Sequence, residues 1–168
     1  MIPLPHDVSV LVLDCDGVLT DGGMYFDAAG QALKRFDVKD GLGLTRLAEM
    51  GFPTAVVSGD RSAITAARCE KLCIGHVMLG RMDKQLALSE LFATTGLSPE
   101  GAVYVGDDIT DIPAMRMVGL SVAVADAVDA VLAVADWVTQ RPGGHGAVRE
   151  VCDAIIGQLE RNRMGAGA

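Results

Sequence analysis

Two carboxylates one residue apart, Asp14 and Asp16, close the apolar run Val10-Leu11-Val12-Leu13, and Gly17 then turns the chain away. Ionised carboxylates this close repel, so each needs a cation or a donor, and a bound divalent metal is the commonest way to satisfy both. On one reading Asp14 attacks an electrophile while a hard cation shields it; on the other the stretch is an acidic turn after an edge strand. More polar groups stand at the ends of later segments. Ser58 follows Thr54 to Val57, Lys84 opens an amphipathic stretch, and Asp107, Asp108 and Asp111 follow Ala102 to Val105. Five carboxylates with one lysine and one hydroxyl suit a site that handles phosphate: oxygen ligands for Mg²⁺, donors for phosphoryl oxygens and a carboxylate nucleophile.

Groups so far apart in sequence meet only if the apolar runs are parallel strands whose carboxyl ends share one edge of a sheet. The patterning fits. Short apolar runs at 11–13, 54–57, 76–79, 102–105, 120–124 and 137–138 alternate with helical periodicity at 40–50, 62–72, 84–94, 113–118, 128–134 and 147–159. Such alternation predicts an α/β fold, a three-layer Rossmann-like parallel sheet with helices on both faces. Ser62 reads as a helix cap. Residues 21–40 behave differently: Gly22-Gly23 and Ala28-Ala29-Gly30 are turn signals, with Met24 to Phe26 and Ala32 to Val38 extended between and after them. We read a β-hairpin inserted after the first strand and no cap domain. A lone hairpin is marginal, so it must pack on something, such as another subunit. Residues 161–168 carry no core pattern and read as a mobile tail.

The chain of 168 residues suits one domain, 1–168. Half of it is hydrophobic and only 4% aromatic, which favours small-residue helices on buried strands. A net charge of −8 opposes attraction to nucleic acid or an anionic membrane surface. An anionic substrate then requires a local cation or metal. Cys15, Cys69, Cys73 and Cys152 form no zinc-ligand pattern, the N-terminus lacks signal-peptide character, and Asp126 and Asp129 interrupt the longest apolar region. These features fit a cytoplasmic protein with reduced thiols.

The order DxDGxxTD, a serine at a strand end, a lysine and GDDxxD resembles the motif set of the haloacid dehalogenase superfamily of phosphatases over roughly residues 8–158. The segments DGVLTDG, Phe36 to Gly41 and GGxGAVRE at Gly143 to Glu150 resemble its small capless subgroup. The resemblance implies an aspartyl-phosphate mechanism with Asp14 as nucleophile and Asp16 as general acid, then base. It implies Mg²⁺ as cofactor on Asp14, Asp107 and the Asp16 carbonyl. Ser58, Gly59 and Lys84 would hold phosphate, and Asp108 and Asp111 would orient water, Ser58 or Lys84. It also implies a homotetramer with the hairpins at its centre and a small-molecule acidic sugar phosphate as substrate.

Departures from the subgroup pattern bear on substrate. Where octulosonate-phosphate enzymes carry Arg, this chain has Asp60, and Lys71 follows at the spacing seen in nonulosonate-phosphate enzymes. The expected substrate is therefore a nonulosonate (KDN or N-acylneuraminate) 9-phosphate, with Asp60, Lys71 and Thr20 as specificity residues. The alternative is 3-deoxy-D-manno-octulosonate (KDO) 8-phosphate, for which the adjacent Arg61 would supply a cation. A catalytically silent assembly module that kept the fold is the competing class.

Overall fold

The computed structural model describes residue 2 and residues 4–165. In chain order, β1 (Val10–Leu13) leads into a hairpin of β2 (Tyr25–Asp27) and β3 (Gly30–Leu33). There follow α1 (Val38–Glu49), β4 (Thr54–Ser58), α2 (Ala63–Lys71), β5 (His76–Leu79), α3 (Lys84–Thr95) and β6 (Ala102–Gly106). The chain closes with α4 (Ile112–Met115), β7 (Leu120–Ala123), α5 (Asp129–Leu132), β8 (Trp137–Val138) and α6 (Ala147–Gly165).

Six strands form one parallel sheet in the order β5-β4-β1-β6-β7-β8. Every side chain of β1, β4 and β6 is buried, as strands covered on both faces require. Right-handed crossovers put the steps outward to β5 and the steps back on opposite faces. Thus α1 packs on α6 over one face and α3 on α4 over the other. The chain order reverses at β1, between β4 and β6. In an open α/β sheet, ligands bind in the crevice at such a point.

Local chemistry moved several element ends. Asp37 caps α1, accepting from the amides of Lys39 at 2.6 Å and Asp40 at 3.4 Å, so the helix starts before Asp40 and that residue is buried in its first turn. Ser62 caps α2 through the amide of Ile64 at 3.2 Å, as expected. The second hairpin strand stops at Leu33 rather than Val38, and only an isolated bridge between Thr20 and Phe36 closes the base of the hairpin. α6 runs past Leu159 to Gly165, because a nucleated helix propagates without core contacts. Residues 166–168 of the expected tail lie outside the described residues. Among the described residues no helix is long and apolar enough to cross a membrane.

Candidate active site

Asp14 follows β1 directly, and its amide donates to the Val105 carbonyl at 3.0 Å, which locks the acidic turn to β6. Ser58 is the last residue of β4, Asp107 and Asp108 follow β6, and Lys84 opens α3 behind the cap Asp83. All of them line one cleft of about 210 Å³ at the switch point, together with Asp16, Gly59 and Asp60. The acidic-turn alternative for Asp14 and Asp16 does not describe this arrangement, since β1 is central and not an edge strand.

The floor of the cleft is an ion network. The Lys84 ammonium lies 3.0 Å from Asp14 Oδ2 and 2.6 Å from Asp111 Oδ1. Asp111 is fully buried; its Oδ1 also accepts from the Tyr104 hydroxyl at 2.6 Å, and its Oδ2 accepts from the amides of Asp107 and Asp108 at 3.0 and 3.2 Å. These four donors fill the carboxylate's acceptor sites, so Asp111 fixes Lys84 and the turn rather than reaching a ligand. Asp108 caps that turn through the Ile109 amide. Burial works against the Lys84 charge, but Asp14 and Asp111 outweigh it and its pKa is raised.

Oxygens of Asp14, Asp107 and Asp111 lie within 4.8 Å of one another. Burial, reinforced by mutual repulsion, pushes Asp14 up to about 6 and Asp107 up to about 8. Asp107 Oδ1 is buried without a hydrogen-bond partner. A buried acceptor left unpaired beside the Asp14 carboxylate, which holds only Lys84 as counter-ion, fits a hard divalent cation. The approach of Asp107 depends on Gly17: with φ at +84°, a Cβ there would overlap the Asp107 carboxylate.

A stability test follows from these shifts. Both carboxylates bind protons more tightly folded than unfolded, so the metal-free protein loses stability as pH rises from about 4 through 8. Mg²⁺ competes with those protons, and its increase in Tm should be larger at pH 8 than at pH 6. Differential scanning fluorimetry at both pH values checks this; a Tm indifferent to Mg²⁺ at pH 8 would count against the cation site.

One site residue has no motif signal. Lys34, just past β3, turns inward until its side chain is 1% exposed and places its ammonium 2.7 and 2.9 Å from the two Asp16 oxygens and 2.6 Å from Asp60 Oδ2. Its bond to Asp60 is the main reason the Asp60 pKa is lowered. Burial opposes the Lys34 charge, but the two carboxylates outweigh it and raise its pKa. The partial alternation of residues 32–38 was the available clue: Leu33 is 64% exposed, so its neighbour faces in.

Two expected specificity residues are not at the cleft. Thr20 is 1% exposed, and its hydroxyl accepts from the amides of Gly17 and Gly22 at 3.2 Å each, holding the turn that begins the hairpin. Lys71 ends α2, which runs about 13 Å away from the carboxyl edge and delivers the chain to His76, opposite Ala55 in the first half of β4. Lys71 is therefore at the far edge of the sheet from Asp60. Arg61 is exposed and crosses Gly80, outside the cleft lining. His145 Nδ1 lies 2.8 Å from the Gly143 carbonyl within its own loop.

Residues 61–151 match the model of the haloacid dehalogenase-like hydrolases. The chain is 42% identical over 156 residues to the Escherichia coli K12 enzyme 3-deoxy-D-manno-octulosonate 8-phosphate phosphatase KdsC, covering 93% of this chain and 83% of that one. The chain belongs to the haloacid dehalogenase-like hydrolase family. Together with its phosphatase relatives this makes it a phosphatase, of a family in which an aspartyl-phosphate intermediate is standard. Solved structures share this fold. The Moraxella catarrhalis KDO 8-phosphate phosphatase, in complex with magnesium, phosphate and KDO, superposes with a TM-score of 0.87 at 36% identity, covering 92% of this chain and 88% of that one. The cobalt-bound Haemophilus influenzae enzyme gives 0.88 at 40%, covering 91% and 90%.

Proposed function

We propose that the chain, folded as one domain in the cytoplasm, hydrolyses the phosphomonoester of an acidic sugar, KDO 8-phosphate, with Mg²⁺ as cofactor. The convergence of Asp14, Asp16, Ser58, Lys84 and Asp107 on one cleft, in a chain 42% identical to a KDO 8-phosphate phosphatase over 93% of its length, carries this reading. The nonulosonate 9-phosphate expected from the sequence rests on Asp60 and Lys71 acting together. Lys71 at the opposite edge and Asp60 paired to Lys34 weigh against it.

In this reading Asp14 attacks phosphorus, the bond from phosphorus to the sugar oxygen breaks, and Asp16 gives the leaving alkoxide its proton. Asp16 then takes a proton from water, whose oxygen attacks phosphorus and releases Asp14 and inorganic phosphate. Ser58, the Gly59 amide and Lys84 hold the phosphoryl oxygens, and Asp111 keeps Lys84 aimed. Asp14, Asp107 and the Asp16 carbonyl would hold Mg²⁺, which when bound neutralises charge between nucleophile and phosphate.

The cleft is small beside the roughly 300–1,000 Å³ of typical ligand pockets, so a sugar acid protrudes beyond it. Met24, Tyr25, Phe26 and Leu33 are 50–64% exposed on the hairpin. Such a patch supports assembly, and a homotetramer with central hairpins would both cover it and close a neighbour's cleft. Steady-state kinetics on protein of measured solution mass tests the proposal. We expect a tetramer and a kcat/KM for KDO 8-phosphate at least tenfold above those for KDN and N-acetylneuraminate 9-phosphates. A preference for either nine-carbon substrate reverses the substrate assignment, and a stable, fully active monomer removes the assembly.

A further inference from the structure

Lys34 carries an inference beyond the family's roles. Burying an ammonium is tolerated only with partners for it, and the three contacts of Lys34 account for its three donors. All three end on Asp16 and Asp60, whose side chains are 37% and 34% exposed on loops beyond their strands. Carboxylates that open to solvent rotate freely unless something fixes them. The two-pronged contact from Lys34 does that for Asp16, and the contact to Asp60 anchors Lys34 from the β4 side. The hairpin delivers the lysine, with Leu33 facing out beside it and the Thr20–Phe36 bridge holding the hairpin base.

We infer that Lys34 is a positioning residue that holds the Asp16 carboxylate in place to protonate the leaving oxygen, with Asp60 as its anchor. This rests on the acid/base reading of Asp16. It also reassigns Asp60 from contacting substrate to supporting the acid. With the proton on one Asp16 oxygen, that oxygen faces the leaving group while the other keeps its bond to Lys34, and Asp60 compensates the Lys34 charge.

The test compares kcat/KM, which reports formation of the aspartyl-phosphate, for two leaving groups. One is KDO 8-phosphate, whose alkoxide needs a proton. The other is p-nitrophenyl phosphate, whose leaving group departs as a stable anion. Lys34→Met should lose about 10²-fold on the sugar phosphate, the low end of general-acid contributions, and less than about threefold on the nitrophenyl ester; Lys34→Arg should recover part of the difference. Equal losses on both esters, an unchanged rate or a faster one overturns the inference. Asp16→Asn run in parallel separates the failures. If Asp16→Asn shows no leaving-group discrimination, the acid/base reading falls; if it does and Lys34→Met does not, only the role of Lys34 falls. Should circular dichroism show Lys34→Met unfolded, Asp60→Asn carries the test: about tenfold discrimination in the same direction supports the anchor, and none overturns it.

Discussion

Asp14→Asn is expected to lower turnover by at least about 10⁴-fold while leaving the fold intact. The loss follows from removing the attacking oxygen, since residual catalysis after loss of a nucleophile comes only from binding and electrostatics. Retention of the fold follows from the charges around it. Asp14 is held up near 6 by burial and by Asp111, so at pH 8 its ionised form is a burden on the metal-free protein. An amide of the same shape removes that repulsion, and Lys84 keeps Asp111 as its counter-ion. The Tm of Asp14→Asn at pH 8 should therefore equal or exceed that of the parent without Mg²⁺. A variant that is both active and less stable would mean that the site is built differently.

Lys84→Met should fail in the opposite way, losing stability together with rate. Its ammonium is the cation shared by Asp14 and Asp111, and removing it leaves both carboxylates buried with no counter-ion at that point. Breaking a buried pair from one side costs about 3–5 kcal/mol, or roughly 6–20 °C in Tm for a domain of this size. Loss of a donor to the phosphoryl oxygens should cost about 10²–10³-fold in kcat. Thermal melts and kinetics on the same preparation check both. A normal Tm with reduced kcat would show that Asp111 does not depend on Lys84, and a normal kcat would remove Lys84 from the phosphate site.

Legibility in the sequence followed the sheet. Asp14, Ser58 and Asp107 could be read because each follows a short, mostly apolar run that proves wholly buried, and in a parallel sheet the ends of such runs share an edge. Lys84 was legible as the opening residue of a helix that faces the same edge. Lys34 was not, because the partial alternation around it does not say that β3 ends at Leu33 or that the next side chain reaches Asp16, 18 residues back. Arg68 on α2 has no motif signal either, yet its guanidinium lies 5.4 Å over the Phe36 ring and donates to the Asp37 carbonyl, fastening the exit of the hairpin. Thr20 and Lys71 failed on geometry that spacing does not carry. A threonine after DGVL can turn its hydroxyl back onto Gly17, and a nine-residue helix moves a lysine from one edge of the sheet to the other.

The most direct measurement is chemical localisation of the phosphate. Protein quenched in acid during turnover of KDO 8-phosphate with Mg²⁺, then digested and analysed by mass spectrometry, should carry a phosphate adduct on the peptide containing Asp14 and should lose that adduct in Asp14→Asn. An adduct on any other peptide, or steady turnover of Asp14→Asn, would contradict the account.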